Sequence, residues 1–344
     1  MNGLTKSNSK SDSASRIPVG RLAPSPTGAL HLGNLRTFLC AWLSVRAAGG
    51  KLWMRVEDID SPRVKAGSLE SMLEDLSWFG LDWDGEPLLQ STRIPAHQKA
   101  LNYLREKSLV YPCVCSRTDV ERAASAPHEG HIGQEGPIYP GTCSWRGASD
   151  LDLPCGPFAW RYRLGSGVQT VIDKVRGEIS LRFEGDFAVW KAGKGAQSPG
   201  PAYQLSVVVD DHFQGVTEVV RGDDLLHSTP RQIQIAQNLG YQSPTWAHIP
   251  LVIGEDGFRL AKRHGDTKVS SIRAAGVPAD VVCGYLAWSL GWNHSRSPLS
   301  PRNLLGLWSW ESLNKHPWVL REETLREMGY NPASGKAFSK LKGF

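Results

Sequence analysis

The sequence predicts an α/β fold organised around a parallel sheet. Segment 17–22 is short and mostly apolar, as a buried strand is, and a loop rich in proline and glycine follows it. A helical pattern then runs as far as Gly49-Gly50, and a second strand pattern occupies 51–57. Strand, helix and strand in succession form a βαβ unit, whose two strands pair in parallel.

Apolar periodicity justifies the first three elements after the loop. Large apolar side chains recur at the helical spacing at Leu35, Phe38, Leu39, Trp42 and Leu43. In segment 51–57 apolar residues occupy every second position between polar or aromatic ones, which is typical of a strand. Segment 68–79 again carries its apolar residues on one helical face, so a second helix is expected there.

Between 111 and 175 the periodicity fades, and this predicts a loop-rich insertion in the α/β domain. Three strands are expected after it, at 205–211, 216–221 and 249–253. The third is followed by a glycine turn at 254–257.

Helices are expected between and after these strands. Thr229 is a suitable N-cap and Pro230 suits the first helical position, so a helix is predicted from here to about Gly240. Beyond Ser271 the chain looks helical, with apolar patterns from 281 to 290 and from 304 to 313.

Composition excludes several classes of protein. The 344 residues suffice for about two domains, and 40% hydrophobic with 21% charged residues is ordinary for a globular protein. No apolar run approaches the roughly 18 residues of a membrane-spanning helix. Residues 1–16 lack the apolar core of a secretory signal and are expected to form a disordered leader, so the cytoplasm is the expected location. The net charge of +5 permits a nucleic-acid partner without diagnosing one.

The loop from Arg21 to Asn34, RLAPSPTGALHLGN, carries the strongest functional signal. It joins the first strand to the first helix, where an α/β sheet places its ligand crevice. Gly28 and Gly33 allow close approach of a ligand, and the helix N-terminus offers N–H groups and a positive dipole to phosphate. His31 can donate a hydrogen bond to a phosphate oxygen.

A second basic stretch, RLAKRHG, runs from Arg259 to Gly265 just after the glycine turn. Lys262 within it would stabilise the charge that develops on a departing pyrophosphate.

Three cysteines lie close together in the predicted insertion: Cys113, Cys115 and Cys143. Three thiolates fill three positions of a tetrahedral zinc site. The residues themselves leave the fourth ligand open among His128, His131 and Cys155. Cys40 and Cys283 lie in apolar helical patterns and are expected in the core.

The loop 21–34 and the stretch 259–265 together resemble the HIGH and KMSKS signatures of class I aminoacyl-tRNA synthetases. The segments RVEDIDSPR at 55–63 and AYQLSVVVDDHFQGVTEVVRGDDLLHSTPRQ at 202–232 look like the glutamyl-tRNA synthetase family. This resemblance covers roughly 20–265. It implies a Rossmann-like catalytic domain formed by 17–110 and 200–265, with the insertion at 111–199.

The resemblance also implies roles for individual residues. His31 and Lys262 are expected to be catalytic. The expected ATP-binding residues are Gly28, His31, Gly33, Asn34 and Lys262, with magnesium arriving on the nucleotide. The expected glutamate-binding residues are Arg21, Ala23, Pro24, Ser25, Glu57, Tyr203 and Arg221. The charges agree with this assignment, because Arg21 and Arg221 suit carboxylates and Glu57 suits an ammonium group.

Two positions depart from the family pattern. The first signature ends in Asn34 rather than histidine, so His31 alone supplies an imidazole there. The second has Ala261 where the pattern has serine, which removes one hydroxyl contact to phosphate but leaves Lys262 in place.

The 79 residues from 266 to 344 suffice for helices that contact a tRNA stem, but not for an anticodon-binding domain as well. In this the chain resembles the glutamyl-queuosine tRNA(Asp) synthetases. That resemblance implies that glutamate is activated without tRNA and is transferred to queuosine at the wobble position of tRNA(Asp). It also implies that the protein is a monomer. A structural zinc ion is expected as well, with Tyr139 as its fourth ligand and His131 as the alternative. The competing interpretations are a catalytic fragment that charges the 3′ end of tRNA(Glu) and a non-catalytic RNA-binding paralogue.

Overall fold

A computed structural model describes residues 17–26, 28–59, 67–124, 132–133, 136–193, 199–260, 267–331 and 336–337. The helices are α1 Leu32–Ala47, α2 Ser68–Phe79, α3 Ile94–Glu106, α4 Arg117–Ala124, α5 Tyr203–Phe213, α6 Ser228–Asn238, α7 Val269–Ala274, α8 Ala279–Leu290 and α9 Glu322–Glu327. The strands are β1 Val19–Leu22, β2 Lys51–Val56, β3 Asp84–Leu89, β4 Val110–Cys113, β5 Ile132–Gly133, β6 Gly136–Pro137, β7 Ala159–Tyr162, β8 Ser166–Asp173, β9 Gly177–Glu184, β10 Phe187–Lys191, β11 Gly200–Pro201, β12 Glu218–Gly222, β13 Thr245–Ile249, β14 Val252–Ile253, β15 Trp318–Val319, β16 Tyr330–Asn331 and β17 Lys336–Ala337.

Parallel strands form the centre of the fold, as the βαβ pattern predicts. Strands β1, β2 and β3 pair in parallel in that order. Strands β12 and β13 form a second parallel pair, and the Thr217 N–H donates to the Val19 carbonyl at 2.8 Å where this pair meets β1. The turn from α1 into β2 is tight, because a Cβ atom on Gly50 would lie 2.1 Å from the carbonyl oxygen of Pro18.

One prediction in this domain is wrong: segment 205–211 is not a strand but the middle of α5. Every residue from Leu205 to Asp211 is buried, so the segment shows no one-sided apolar pattern. An apolar run of this length does not distinguish a strand from a helix buried on all sides. The helical conformation allows Asp210 to reach Arg93 and His97 while Asp211 reaches Arg55.

Three further boundaries differ from the expectations. Helix α6 begins at Ser228 with His227 as its N-cap, so Thr229 lies inside the helix. The strand expected at 249–253 is divided into β13 and β14 around Pro250, which has no N–H to continue a ladder. In segment 304–313, the regular structure is a 3-10 helix, Pro301–Gly306, and Trp308 beyond it packs edge-on against Trp292.

The predicted insertion contains more regular structure than its fading periodicity suggests. An antiparallel sheet has the strand order β11-β10-β7-β4. The β8–β9 hairpin does not belong to this sheet. Asp173 at the end of β8 instead pairs in parallel with Trp246 of β13. Part of segment 111–199 therefore extends the sheet that also contains β12.

The C-terminal helices pack onto the same core as β1 and α1. A single cluster of buried apolar residues extends from Leu22 to Tyr330. The Arg36 guanidinium of α1, 1% exposed, donates to the Ser289 hydroxyl of α8 at 2.9 Å and to the Pro250 carbonyl at 2.6 Å. Among the described residues, no helix is long and apolar enough to cross a membrane.

Candidate functional site

A cavity of about 520 Å³ opens at the carboxyl ends of β1, β2 and β12. Eleven of its lining residues were expected from the sequence to bind ATP or glutamate: Arg21, Ala23, Pro24, Ser25, Gly28, His31, Gly33, Asn34, Glu57, Tyr203 and Arg221. Lys262 and Ala261 lie outside the described residues. The structure thus brings the described members of the expected ATP and glutamate sets together in one cavity.

His31 is the N-cap of α1, and its imidazole is held in one tautomer. Its Nδ1 accepts from the backbone N–H groups of Gly33 at 3.1 Å and Asn34 at 3.3 Å. Burial, and then the charge of Arg259, lower the pKa of His31 to about 4, although Asp224 opposes this. The neutral ring therefore carries its proton on Nε2, which leaves one donor for a ligand.

Asn34 completes this arrangement in the position where the family signature has histidine. Its Oδ1 accepts from the His31 backbone N–H at 3.1 Å, so the two residues form a reciprocal capping box. A Cβ atom on Gly33 would lie 3.0 Å from the imidazole ring, which explains why glycine stands between them.

The expectation that the start of α1 offers free N–H groups to phosphate is not met in this structure. The Leu32 N–H donates to the Thr267 carbonyl at 3.2 Å, and the Leu35 N–H donates to the His31 carbonyl at 3.1 Å. The two N–H groups between them bond to the imidazole. A phosphate here would therefore be contacted first by the His31 side chain.

A network of arginines and carboxylates includes two residues that line the cavity, Arg21 and Glu57. Arg55 is fully buried and donates to Asp211 at 2.5 Å and to Glu57 at 3.3 Å. Arg21 donates to the Val220 carbonyl at 3.0 Å, while its Nε lies 3.5 Å from Asp211 and has no hydrogen-bond partner in the described part of the chain. Burial raises the pKa of Glu57, although Arg55 and Arg21 oppose this.

Arg221, 5% exposed, also lines the cavity and donates to three uncharged groups. Its Nη1 donates to Gln232 Oε1 at 2.7 Å, its Nη2 to the Thr229 hydroxyl at 2.8 Å, and its Nε to His248 Nε2 at 3.1 Å. Within the described ranges no carboxylate forms an ion pair with it. Burial lowers the pKa of Arg221, and Tyr203 opposes that effect.

The residues behind Arg221 were not predicted from the sequence. His248 is completely buried, and its Nδ1 lies 2.7 Å from Asp173 Oδ2. Gln232 ends one of the segments that carry the family resemblance, whereas Asp173 comes from the predicted insertion and His248 from β13. The parallel register places His248 directly beside Arg221, but the strand expected at 249–253 begins one residue after His248, so no sequence pattern indicated this contact.

An ion pair lies at the rim of the cavity. Arg259 donates to Asp224 at 2.6 Å, which connects the segment after β14 to the segment after β12. Both residues line the cavity, and residues 261–266, which lie outside the described ranges, follow Arg259 closely.

A second cluster of donor groups lies at the start of the insertion. The sulfur atoms of Cys113, Cys115 and Cys143 all lie within 4.8 Å of one another. The Tyr139 hydroxyl lies 3.3 Å from Cys113 Sγ and 3.7 Å from Cys115 Sγ. Arg161 donates to Cys113 Sγ at 3.1 Å and stacks on the Tyr139 ring at 3.8 Å. The three thiols and the phenol form a set of donors able to hold a metal ion.

Of the three other candidates for the fourth metal ligand, one lies within the described residues. Cys155 is exposed and is not part of the group of three sulfur atoms. His128 and His131 lie outside the described residues.

Comparison with known proteins shows that the chain is similar to the class I tRNA synthetases. A family model described as the catalytic domain of class I tRNA synthetases (E and Q) matches residues 19–327. A glutamyl-Q tRNA(Asp) synthetase of Rhodopirellula baltica is 45% identical over 317 residues, which cover 88% of this chain and 96% of that protein. A glutamate–tRNA ligase of Geobacter sulfurreducens is 37% identical, and the match covers 89% of this chain but 64% of that protein.

Solved structures resemble the chain in fold. A glutamate–tRNA synthetase from Elizabethkingia anophelis superposes with a TM-score of 0.72 at 21% identity, covering 91% of this chain and 70% of that chain. At this identity the likeness concerns the arrangement of helices and strands alone.

Proposed function

The chain belongs to the glutamyl-Q tRNA(Asp) synthetase family of the class I tRNA synthetases, and from this premise we propose that it activates glutamate with ATP and transfers it to queuosine in tRNA(Asp). The observation that carries the proposal is the charge pattern of the cavity. Arg221 has no carboxylate partner among the described residues, Arg21 has a buried nitrogen without a hydrogen-bond partner there, and Glu57 lies with them in the same cavity. Glutamate offers two carboxylates and one ammonium group, which match this set.

Adenylate formation would proceed by displacement at phosphorus. An oxygen of glutamate's α-carboxylate attacks the α-phosphate of ATP, and the bond to the bridging oxygen of pyrophosphate breaks, so that pyrophosphate leaves with the electron pair. His31 Nε2–H would hydrogen-bond to a phosphate oxygen. We assign Lys262 to the charge of the departing pyrophosphate on the strength of the sequence resemblance.

Acyl transfer completes the reaction. A hydroxyl oxygen on the cyclopentene ring of queuosine attacks the acyl carbon of the adenylate, the acyl–phosphate bond breaks, and AMP leaves. The hydroxyl proton is released. No covalent bond to the enzyme is required in either step.

The remaining parts of the chain are assigned to support this chemistry. We assign 17–110 and 200–265 to the catalytic domain, 111–199 to the insertion, 266–344 to contacts with the tRNA stem and 1–16 to a leader. The match to the relative named glutamyl-Q tRNA(Asp) synthetase extends over 96% of that protein and 88% of this chain, so it includes most of these segments. We propose that the protein acts as a cytoplasmic monomer.

The decisive experiment is transfer of labelled glutamate to tRNA(Asp) with and without queuosine. We expect incorporation only into the queuosine-containing tRNA, and we expect ATP–pyrophosphate exchange with glutamate in the absence of any tRNA. Charging of tRNA(Glu) at its 3′ end would instead identify a glutamyl-tRNA synthetase fragment. Absence of adenylate formation with pure protein, magnesium, ATP and glutamate would identify a non-catalytic paralogue.

We also propose that Cys113, Cys115, Cys143 and Tyr139 hold one structural zinc ion. Zinc–sulfur bonds of about 2.3 Å in a tetrahedron place two sulfur atoms about 3.8 Å apart. Cys115 Sγ and Cys143 Sγ are 3.7 Å apart, which fits this spacing. Arg161 supplies a positive charge beside the site, as a zinc ion with three thiolate ligands requires. The zinc site would stabilise the insertion and takes no part in the transfer chemistry.

Metal analysis of single variants tests the fourth ligand. Tyr139→Phe should lower zinc affinity by about a hundredfold, because it removes the ligand oxygen and keeps the ring. His131→Ala and Cys155→Ser should retain zinc and serve as controls. Full zinc occupancy in Tyr139→Phe together with loss in His131→Ala would assign the fourth position to His131.

A further inference from the structure

Three buried arginines in or near the cavity, Arg21, Arg55 and Arg221, differ in the charge of their partners. Arg55 and Arg21 both face Asp211, at 2.5 Å and 3.5 Å. Arg221 is instead bound by an amide, a hydroxyl and an imidazole. Geometry alone does not require this difference, because a carboxylate would fix a guanidinium at least as firmly as an amide.

The orientation of the Gln232 amide is fixed by its own partners. Its Nε2 donates to Gln204 Oε1 at 2.9 Å, and Gln204 Nε2 donates to the Ser228 hydroxyl at 2.8 Å. Gln232 Oε1 is therefore the atom that accepts from Arg221, and the amide supplies an acceptor without a charge.

Asp173 fixes the tautomer of the His248 imidazole. Burial and the charge of Arg221 lower the pKa of His248 and keep its ring uncharged, although Asp173 opposes this. His248 Nε2 accepts from Arg221, so the ring proton is on Nδ1 and is donated to Asp173. The Asp173 carboxylate also accepts from the backbone N–H groups of Val175, Arg176 and His248, at 2.9, 2.9 and 3.1 Å. These donors stabilise its charge at a distance from Arg221, with the imidazole between the two.

We propose that Gln232, Thr229 and His248, with Asp173 behind His248, form a neutral shell that reserves the charge of Arg221 for a carboxylate of the substrate. In this shell Gln232 is a positioning residue, which acts on the substrate through Arg221. This inference rests on the proposed binding of glutamate. An internal carboxylate in the shell would neutralise Arg221 and compete with the ligand. The shell thus positions the guanidinium without a carboxylate in contact with it, and the charge of Asp211 acts on Arg221 only from beyond ion-pair distance.

The substitution Gln232→Glu tests the proposal, because it introduces a charge with almost no change of shape. Gln204 can reverse its amide to donate to the new carboxylate, since the Ser228 hydroxyl can donate as well as accept. We expect the KM for glutamate in tRNA-independent ATP–pyrophosphate exchange to rise by about a hundredfold, while the KM for ATP changes by less than about threefold. Titration of glutamate alone into the protein should show the same loss of affinity.

Gln237→Glu is the matched control, because Gln237 is an exposed glutamine in the same helix. It should leave both KM values unchanged. A second variant, Asp173→Asn, keeps the shape and removes the charge that fixes the His248 tautomer, so the KM for glutamate should rise by about tenfold. The thermal midpoint of each variant separates loss of affinity from loss of folded protein.

The outcomes distinguish this inference from the proposed function. If the wild-type protein binds glutamate and Gln232→Glu, still folded, binds it as well as Gln237→Glu does, the neutral shell is refuted and the proposed function stands. If a folded Gln232→Glu variant loses turnover with ATP as strongly as affinity for glutamate, the shell does not act through Arg221 and is likewise refuted. Wild-type protein that neither binds nor activates glutamate overturns the proposed function itself.

Discussion

Replacing Arg221 by alanine is expected to raise the KM for glutamate on the order of 10² to 10³-fold, with little change in the KM for ATP. The guanidinium is buried, and none of the described carboxylates forms an ion pair with it. The ligand therefore supplies the carboxylate that binds it. Glutamate-dependent ATP–pyrophosphate exchange without tRNA measures this effect directly. Arg182→Ala, at an exposed site on β9, is the control for the general effect of removing a positive charge.

The Arg221→Ala variant also tests whether Arg221 and Gln232 act together. If Gln232→Glu weakens glutamate binding by neutralising Arg221, it should have almost no further effect once Arg221 is absent. Additive effects of the two substitutions would show that they act on glutamate independently. Because Thr229, Gln232 and His248 lose their common donor, we expect Arg221→Ala to lower the free energy of unfolding by about 1–3 kcal/mol as well.

Substitution of His31 should separate helix capping from catalysis. His31→Ala removes the acceptor for two backbone N–H groups and the Nε2 donor together. We expect the kcat of adenylate formation to fall about a hundredfold and the free energy of unfolding to fall by about 1 kcal/mol. His31→Asn restores a good N-cap but not the reach of Nε2, so it should recover stability without recovering kcat.

Thermal unfolding and single-turnover adenylate formation measure these two quantities. Recovery of both by His31→Asn would show that His31 acts only as a cap. The low pKa of His31, about 4, adds a second expectation. Its imidazole should stay neutral as the pH falls through the ordinary histidine range near 6.5, so an NMR titration of this ring should show a midpoint far below that range.

Local patterns predicted the first half of the catalytic fold well. Helix α2 occupies 68–79 as its apolar face indicates, and β1, α1 and β2 follow the predicted βαβ order. The error at α5 has a physical cause, because a helix buried on every side loses the periodicity that identifies it. Thr229 suits an N-cap by composition, but its hydroxyl is used to accept from Arg221.

The residues of the candidate site also divide into those that local patterns predict and those that depend on the tertiary structure. Residues within motifs, such as His31 and Glu57, were predicted because the motif itself carries the chemistry. Asp173 and His248 were not, because each is a single polar residue outside the quoted segments. Gln232 belongs to the segment 202–232, but only the tertiary structure shows that it contacts Arg221. Lys262 remains a prediction from the resemblance, since it lies outside the described residues.

The buried contacts of Arg36 have a consequence for how the chain can be divided. The same side chain bonds to the segment before β14 and to α8, and both belong to the apolar cluster that begins at β1. A shortened chain that ended before α7 would leave a buried cation without its hydroxyl partner and would expose one side of the helix that His31 caps. Helices α7 and α8 are therefore part of the same folded unit as the catalytic centre, and a fragment without them should not fold into a stable catalytic domain.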